Sequence, residues 1–468
     1  MRFNSLEYAA FLPLAVLAYY AAPQRQRWMV LIVSGAAFLL FLSPVHLAIA
    51  LAITTVNFYT GLGLEKWADS RRGSLLLWFA ILFDVGCLGW FKYGNALFGG
   101  SNILLPVGIS YYAFQCIGYN LEIHWGRQRA ATHPGRFASS VLFFPKLLAG
   151  PIERPHHFLA QLDSSKRFST SDLASGLKQI GWGLFIKCVL ADRIALVIDP
   201  VLDGRQEFNG LLLLACVFFY TVQVYCDFSG YTDIALGSAR LMGIELIPNF
   251  DHPFAARSVT EFWRRWHISL SSWTNDYVFK PLSMYISFKT NWRRAGMVFS
   301  ILVTFVVLGA WHGPRWTYVV FGLIHGCAVS AEALTQKARR AALARMPPWL
   351  GNRLSNVATI VFYSFSCVFF RARTISDALY VLGHSFRRYG STAGVQYFAE
   401  TKRYQVALVL LLLAAIAVVR RVLGNSPAFS ERLAQRSAWV RWPIYYAVIV
   451  GIIVLGVFEV NQFVYSQF

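Results

Sequence analysis

Two histidines, His267 and His312, stand in tryptophan- and glycine-rich stretches of an otherwise apolar chain. The first lies in Phe262-Trp263-Arg264-Arg265-Trp266-His267-Ile268-Ser269-Leu270, the second in Gly309-Ala310-Trp311-His312-Gly313-Pro314-Arg315-Trp316. A polar side chain at bilayer depth is costly to desolvate and is by default a functional hypothesis. Imidazole is also the side chain whose ordinary pKa suits proton transfer near neutrality. Glycine and proline cannot continue a regular helix, so the backbone is expected to open where the His312 ring lies. Freed backbone groups there need partners or water, which implies a polar cavity. A neutral imidazole in such a cavity could take a proton from an attacking hydroxyl. The same ring could equally cap a helix end on a carbonyl, and local residues leave both readings standing.

Arg264 and Arg265 flank His267 and are candidates to steer a phosphate-bearing donor by charge-assisted hydrogen bonds. The plainer reading makes them flanking charges with snorkelling stems, and charge alone favours it. His325, in Gly322-Leu323-Ile324-His325-Gly326, is placed to face either histidine or to pack helices. Absences narrow the chemistry further. The chain has no G-x-x-x-x-G-K-[ST] loop, no G-x-G-x-x-G opening a helix, no G-x-S-x-G elbow and no H-x-x-x-D. Nucleotide hydrolysis, Rossmann binding and soluble hydrolase or acyltransferase chemistry therefore lack support.

The elements that must position these groups are membrane helices. Of 468 residues 56% are hydrophobic and only 14% charged, against roughly 25% charged in soluble domains. Apolar runs at 11–22, 29–42, 47–64, 75–90, 296–308, 406–419 and 445–457 approach the ~20 residues a span wants, with Trp, Tyr and Arg ends supplying the rest. The expected fold class is an all-α polytopic membrane protein of about 11–13 helices and re-entrant segments, forming a single domain over 1–468. No cleavable leader is apparent, so the first run reads as a retained span. The seven cysteines are scattered without C-x-x-C spacing, which signals neither disulfides nor a metal site.

The net charge of +20 comes from basic residues at the ends of apolar runs. That is the positive-inside pattern, not a basic face for nucleic acid. It places the N-terminus outside and the loops with Lys337, Arg339, Arg340 and Arg345, and 420–441, in the cytoplasm. One stretch departs: 371–403 carries several arginines yet falls outside by parity. The segment 139–178 reads as re-entrant or interfacial up to a span at 177–198, and 227–294 as short helices around a cytoplasmic-facing cavity.

With these motifs in hand the sequence resembles the membrane-bound O-acyltransferase (MBOAT) family, in the bacterial branch of polysaccharide O-acetyltransferases. The matching stretches begin with Leu105–Gln115, Phe144-Pro145-Lys146 with Ala149-Gly150-Pro151-Ile152, Tyr225–Asp233, and Asn249-Phe250. Phe262–Leu270 follows, with Trp273 and Asp276-Tyr277, then Trp311-His312-Gly313, His325-Gly326, Phe369-Phe370-Arg371-Ala372 and Gln467-Phe468. The resemblance implies that His312 is the catalytic histidine and His267 the second functional position. It also implies a ring of tilted helices around a tunnel, with a cytoplasmic funnel for the donor. The donor implied is acetyl-CoA or another acyl thioester, taken as a substrate with no bound cofactor or metal. Exopolysaccharide such as alginate or cellulose is the implied target, reached in a bacterial inner membrane with a periplasmic SGNH-hydrolase-like partner and polysaccharide synthesis machinery. Two alternatives stay open: a D-alanyl-type transferase using an acyl-carrier protein, and a transporter or flippase in which Asp84, Asp227, Asp233 and Glu332 act as coupling groups.

Overall fold

The computed structural model describes residues 1–99, 103–148, 150–164, 166–204, 208, 210–290, 292–387, 396–397, 403–423, 433 and 435–458, with side chains only to 416 in the helix that begins at 403. Ala149 and Gln467-Phe468 of the resemblance lie outside the described residues, as do 424–432 and 434 of the 420–441 loop and part of the 371–403 stretch. Among the described residues the chain is helical, with one isolated β-bridge and no named strand.

Eight helices are long and apolar enough to cross a membrane, and Leu6–Ala21 and Arg403–Ile416 are shorter apolar ones. Their free faces carry large apolar side chains: Leu82 is 65% exposed and Ile453 71%. Such faces fit lipid rather than water. The chain is a multi-pass membrane protein.

Two compact units are distinguishable. The first is built from α1 (Leu6–Ala21), α2 (Arg27–Leu42), α3 (Pro44–Lys66), α4 (Arg71–Phe98), α5 (Ile109–His124), α6 (Pro134–Val141), α7 (Phe144–Leu147), α8 (Pro155–Asp163) and α9 (Thr170–Leu184). Its helices start where serine hydroxyls accept from the first turn, Ser43 from Val45 and Ser70 from Gly73. The expected re-entrant stretch proves to be α6 to α8, three short helices broken by prolines. At the centre of α3, α4 and α5, Asn57 Nδ2 donates to Asp84 Oδ1 (2.8 Å) and Asn120 Nδ2 to Asn57 Oδ1 (2.5 Å).

The second unit holds α10 (Asp192–Asp203), α12 (Val259–Arg265), α13 (Ile268–Thr274), α14 (Lys280–Lys289), α15 (Arg293–His312), α16 (Trp316–Leu334), α17 (Gln336–Ala344), α18 (Pro348–Arg371), α19 (Ile375–His384), α20 (Arg403–Leu423) and α21 (Ala438–Leu455). The first part of α11 (Leu211–Arg240), through Gly230, belongs here as well. The polar region expected to begin at Asp227 instead continues α11 to Arg240. The acids there are absorbed by partners rather than breaking the helix. Lys187, in a π-helical segment at 185–191, reaches Asp192 Oδ1 (2.6 Å) and Asp227 Oδ1 (2.5 Å), all three buried.

Candidate active site

His312 is the last residue of α15. Gly313 follows with φ 150°, its N–H donating to the Ala310 carbonyl, and Pro314 cannot continue the helix. The chain then reverses into α16 at a very close helix–helix approach. A Cβ on Gly309 would lie 2.3 Å from the Tyr318 carbonyl oxygen, and one on Gly322 2.2 Å from that of Phe305. Only glycine permits backbones this near. The approach brings Tyr318, near the start of α16, beside His312.

The His312 ring is 2% exposed. It is walled by Trp311, Phe370 and Tyr318, with ring centroids 4.9, 4.9 and 6.0 Å away. The polar cavity expected around this ring is therefore an aromatic enclosure. α15 ends at His312, as Gly313-Pro314 leads one to expect, and the enclosure comes from the Tyr318 and Phe370 rings that α16 and α18 bring against it.

His267 joins α12 to α13 with a left-handed backbone, φ 44°. Few non-glycine residues adopt this conformation, and it persists only where the surroundings over-determine it. Here they do. Phe250 bridges Trp266, the Asp251 N–H donates to the Arg265 carbonyl (3.0 Å), and the Ile268 N–H to the Asn249 carbonyl (2.9 Å). Ser269 Oγ donates to Asn249 Oδ1 at 2.6 Å. Burial pushes the His267 imidazole down to about 3, so the ring is neutral across the physiological range.

The fold brings the two histidines to one indole. The His267 ring lies 5.7 Å from Trp311, which lies 4.9 Å from His312. Phe228 closes the other side of His267 at 4.7 Å. Two imidazoles and the aromatic rings around them form one wall buried from solvent.

Around them stands a supporting frame of which the sequence offered only the helix-packing reading of His325. Trp263 Nε1 donates to His325 Nδ1 (3.1 Å), which leaves the proton on Nε2 to meet Ser366 Oγ (2.9 Å). His325 thus ties α12 and α18 to α16 and is occupied structurally. Glu332, at the other end of α16, accepts from the Val259 N–H (2.8 Å), the Thr260 N–H (2.9 Å) and Thr260 Oγ1 (2.7 Å). One carboxylate fastens the first turn of the helix that leads to His267. The only sequence signal for it was an acid in an apolar span.

The remaining candidates separate. Arg265 is held by Glu261 (2.9 Å) and by the Asp251 carbonyl (3.3 Å). Arg264 is exposed and makes no hydrogen bond or ion pair with the described residues. It is the one of the pair with donors available. The four acids of the transporter alternative have partners: Asp84 with Asn57, Asp227 with Lys187, Asp233 with Gln179 (3.1 Å) and Glu332 with α12. Among the described residues no cluster of three or more His, Cys, Asp or Glu could hold a metal.

Comparison with known proteins gives the family. Residues 103–372 match the model of MBOAT, the membrane-bound O-acyltransferase family, a span that contains both histidines, Glu332 and Phe370. The chain is 31% identical over 426 residues to a probable alginate O-acetylase of Azotobacter vinelandii, covering 87% of this chain and 82% of the relative. It is 28% identical to a peptidoglycan O-acetyltransferase of Helicobacter pylori, over 80% and 77% of the two chains. A teichoic acid D-alanyltransferase of Streptococcus thermophilus is 32% identical over 49% of this chain and 57% of its own. An imidazole pair walled by aromatics inside a multi-pass helical protein, matched over most of its length by acyl-transferring relatives, places the chain in the membrane-bound O-acyltransferase family, as an O-acyltransferase.

Proposed function

We propose that the protein takes an acyl group, acetyl in the first instance, from a cytoplasmic thioester such as acetyl-CoA and delivers it to a hydroxyl on the far side of a bacterial inner membrane, for O-acetylation of an exopolysaccharide. The observation that carries this reading is the placement of His312 at the C-terminal end of α15, against the same indole as His267. In the step proposed, His312 accepts the proton of the acceptor hydroxyl as its oxygen attacks the thioester carbonyl. The C–S bond then breaks and the thiolate leaves, taking up a proton. General-base assistance of this kind contributes about 10²–10⁴-fold. His267, neutral and fixed by its strained backbone, orients the reacting group rather than storing a proton. The exposed Arg264 offers a guanidinium to donor phosphates.

The alginate and peptidoglycan relatives support an acetyl donor and a polysaccharide acceptor, alginate being the nearer expectation and cellulose a second. The acceptor hydroxyl is that of the polymer or of a periplasmic SGNH-hydrolase-like partner that passes the group on. The D-alanyltransferase relative supports an acyl-carrier protein as the alternative donor. The test is protein in liposomes with labelled acetyl-CoA and acceptor, read as ester formed and free thiol released. His312→Ala should lose transfer by at least 100-fold while inserting normally. Near-normal transfer by that variant would refute the assignment. A thioester left intact by the wild-type protein would favour transport, and competition by acylated carrier protein would favour the alternative donor.

A further inference from the structure

Arg371 and Arg373 begin the stretch that the positive-inside pattern does not explain. They sit at the end of α18 opposite to the basic helix α17, hence on the outer side. Arg371 is accounted for within the fold: its Nη2 lies 2.7 Å from Asp203 Oδ1 and 3.6 Å from Asp199 Oδ1. Arg373 is not. It is exposed and makes no hydrogen bond or ion pair with the described residues.

Arg373 lines a small cleft that opens to the surface, together with Asp203, Tyr220, Arg371 and Asp377. Both acids there are engaged, Asp203 by Arg371 and Asp377 by the Thr374 N–H in a capping box. The guanidinium of Arg373 is left facing the space.

The cavity adjoins the site. Ala372 lines it, and Ala372 lies two residues past Phe370, whose ring walls His312 at 4.9 Å. Thr317 Oγ1 donates to the Ala372 carbonyl (3.2 Å), which fixes this corner against Tyr318, the other wall of His312. Phe370 and Tyr318, which wall the imidazole, are thus both tied to the corner that Ala372 forms.

We propose that this cavity receives the acceptor, and that Arg373 binds an anionic group, carboxylate or phosphate, carried on the acceptor beside the hydroxyl to be acylated. The inference rests on the acyl-transfer reading above. An acceptor anchored there presents its hydroxyl to the Phe370–Tyr318 wall, and swinging of either ring opens it to His312. Arg371, locked between two carboxylates, shapes the cavity without competing for the ligand.

The test uses the full-length protein in neutral-lipid vesicles and in vesicles containing anionic lipid. The probes are an oligouronate, its carboxyl-reduced neutral counterpart, and an oligomer of glycerol phosphate. Binding is read by titration and transfer by labelled acetyl-CoA. The wild-type protein should bind one of the anionic oligomers saturably. Arg373→Ala should weaken that binding, and raise KM for it, by about tenfold or more, with kcat little changed and the neutral oligomer unaffected. Arg373→Lys should restore part of the affinity. Absence of saturable binding to either anionic oligomer by the wild-type protein, or equal effects on charged and neutral probes, would overturn the proposal. So would a defect confined to anionic vesicles, since Arg373 would then be a lipid-headgroup contact. If His312→Ala abolishes transfer while Arg373→Ala changes nothing, the cavity assignment alone falls. If His312→Ala retains transfer, the acyl-transfer reading falls first.

Discussion

Glu332→Ala removes the one carboxylate that holds the start of α12. Three donors lose their acceptor at once: the Val259 N–H, the Thr260 N–H and Thr260 Oγ1, at 2.7–2.9 Å. The Ser258 hydroxyl still caps the Glu261 N–H at 3.0 Å, so the helix itself survives. Hydrogen bonds to a charged group are worth about 1.5–3 kcal/mol each, but three to one group do not add fully. The contact to Arg339 at 3.4 Å is partly exposed and contributes little. The anchor as a whole is then worth about 2–4 kcal/mol. At about 1.4 kcal/mol per factor of ten, docking of α12 weakens by about 30- to 700-fold. Because α12 leads directly into Trp266 and His267, transfer should fall, with that factor as its upper bound. Hydrogen exchange across 258–267 should rise while α15 and α16 stay protected. Glu332→Gln, which keeps an acceptor oxygen without the charge, should fall between. Wild-type exchange at 258–267 together with a full transfer rate in Glu332→Ala would show that α12 is not held this way.

Further expectations concern acidity and helix packing. His267 has an ordinary pKa of 6.5 and a buried one of about 3, so between these values the unfolded chain binds a proton the folded chain does not. Its contribution to stability is complete above 6.5 and is lost as pH falls toward 3. His267→Gln should flatten the fall of the unfolding midpoint with acid by one proton, and an unchanged acid slope would contradict the burial argument. At the α15–α16 contact, Gly322→Ala puts a methyl 2.2 Å from the Phe305 carbonyl oxygen, whereas Gly326→Ala puts one 3.1 Å from the Phe305 Cβ. The first should cost about 1–3 kcal/mol and displace Tyr318 from His312, cutting transfer. The second should be mild, and equal effects would mean the helices are not in contact at Gly322.

Helices, breaks and candidate chemistry were legible because each is a local property of the chain. An apolar run of 12 to 18 residues must satisfy its own backbone hydrogen bonds in lipid, and a helix is the only single-segment way to do it. Gly313-Pro314 ends α15 for the same local reason, and His312 and His267 were conspicuous because polar groups are rare in such surroundings. The error in placing the end of α11 has the converse cause: Asp227 reads as a helix-breaking charge until Lys187, forty residues earlier, neutralises it in space.

Tertiary structure alone decided which groups share a wall. Nothing in the order of residues says that Trp311 lies against His267 as well as His312, that Glu332 reaches back to Val259, or that His325 is occupied by Trp263 and Ser366. Those contacts follow from how closely α15 and α16 approach at Gly309 and Gly322. Composition, motif and helix were therefore written along the chain, while the hydrogen bonds that occupy His325 and the aromatic walls around His267 and His312 arose only when distant helices packed.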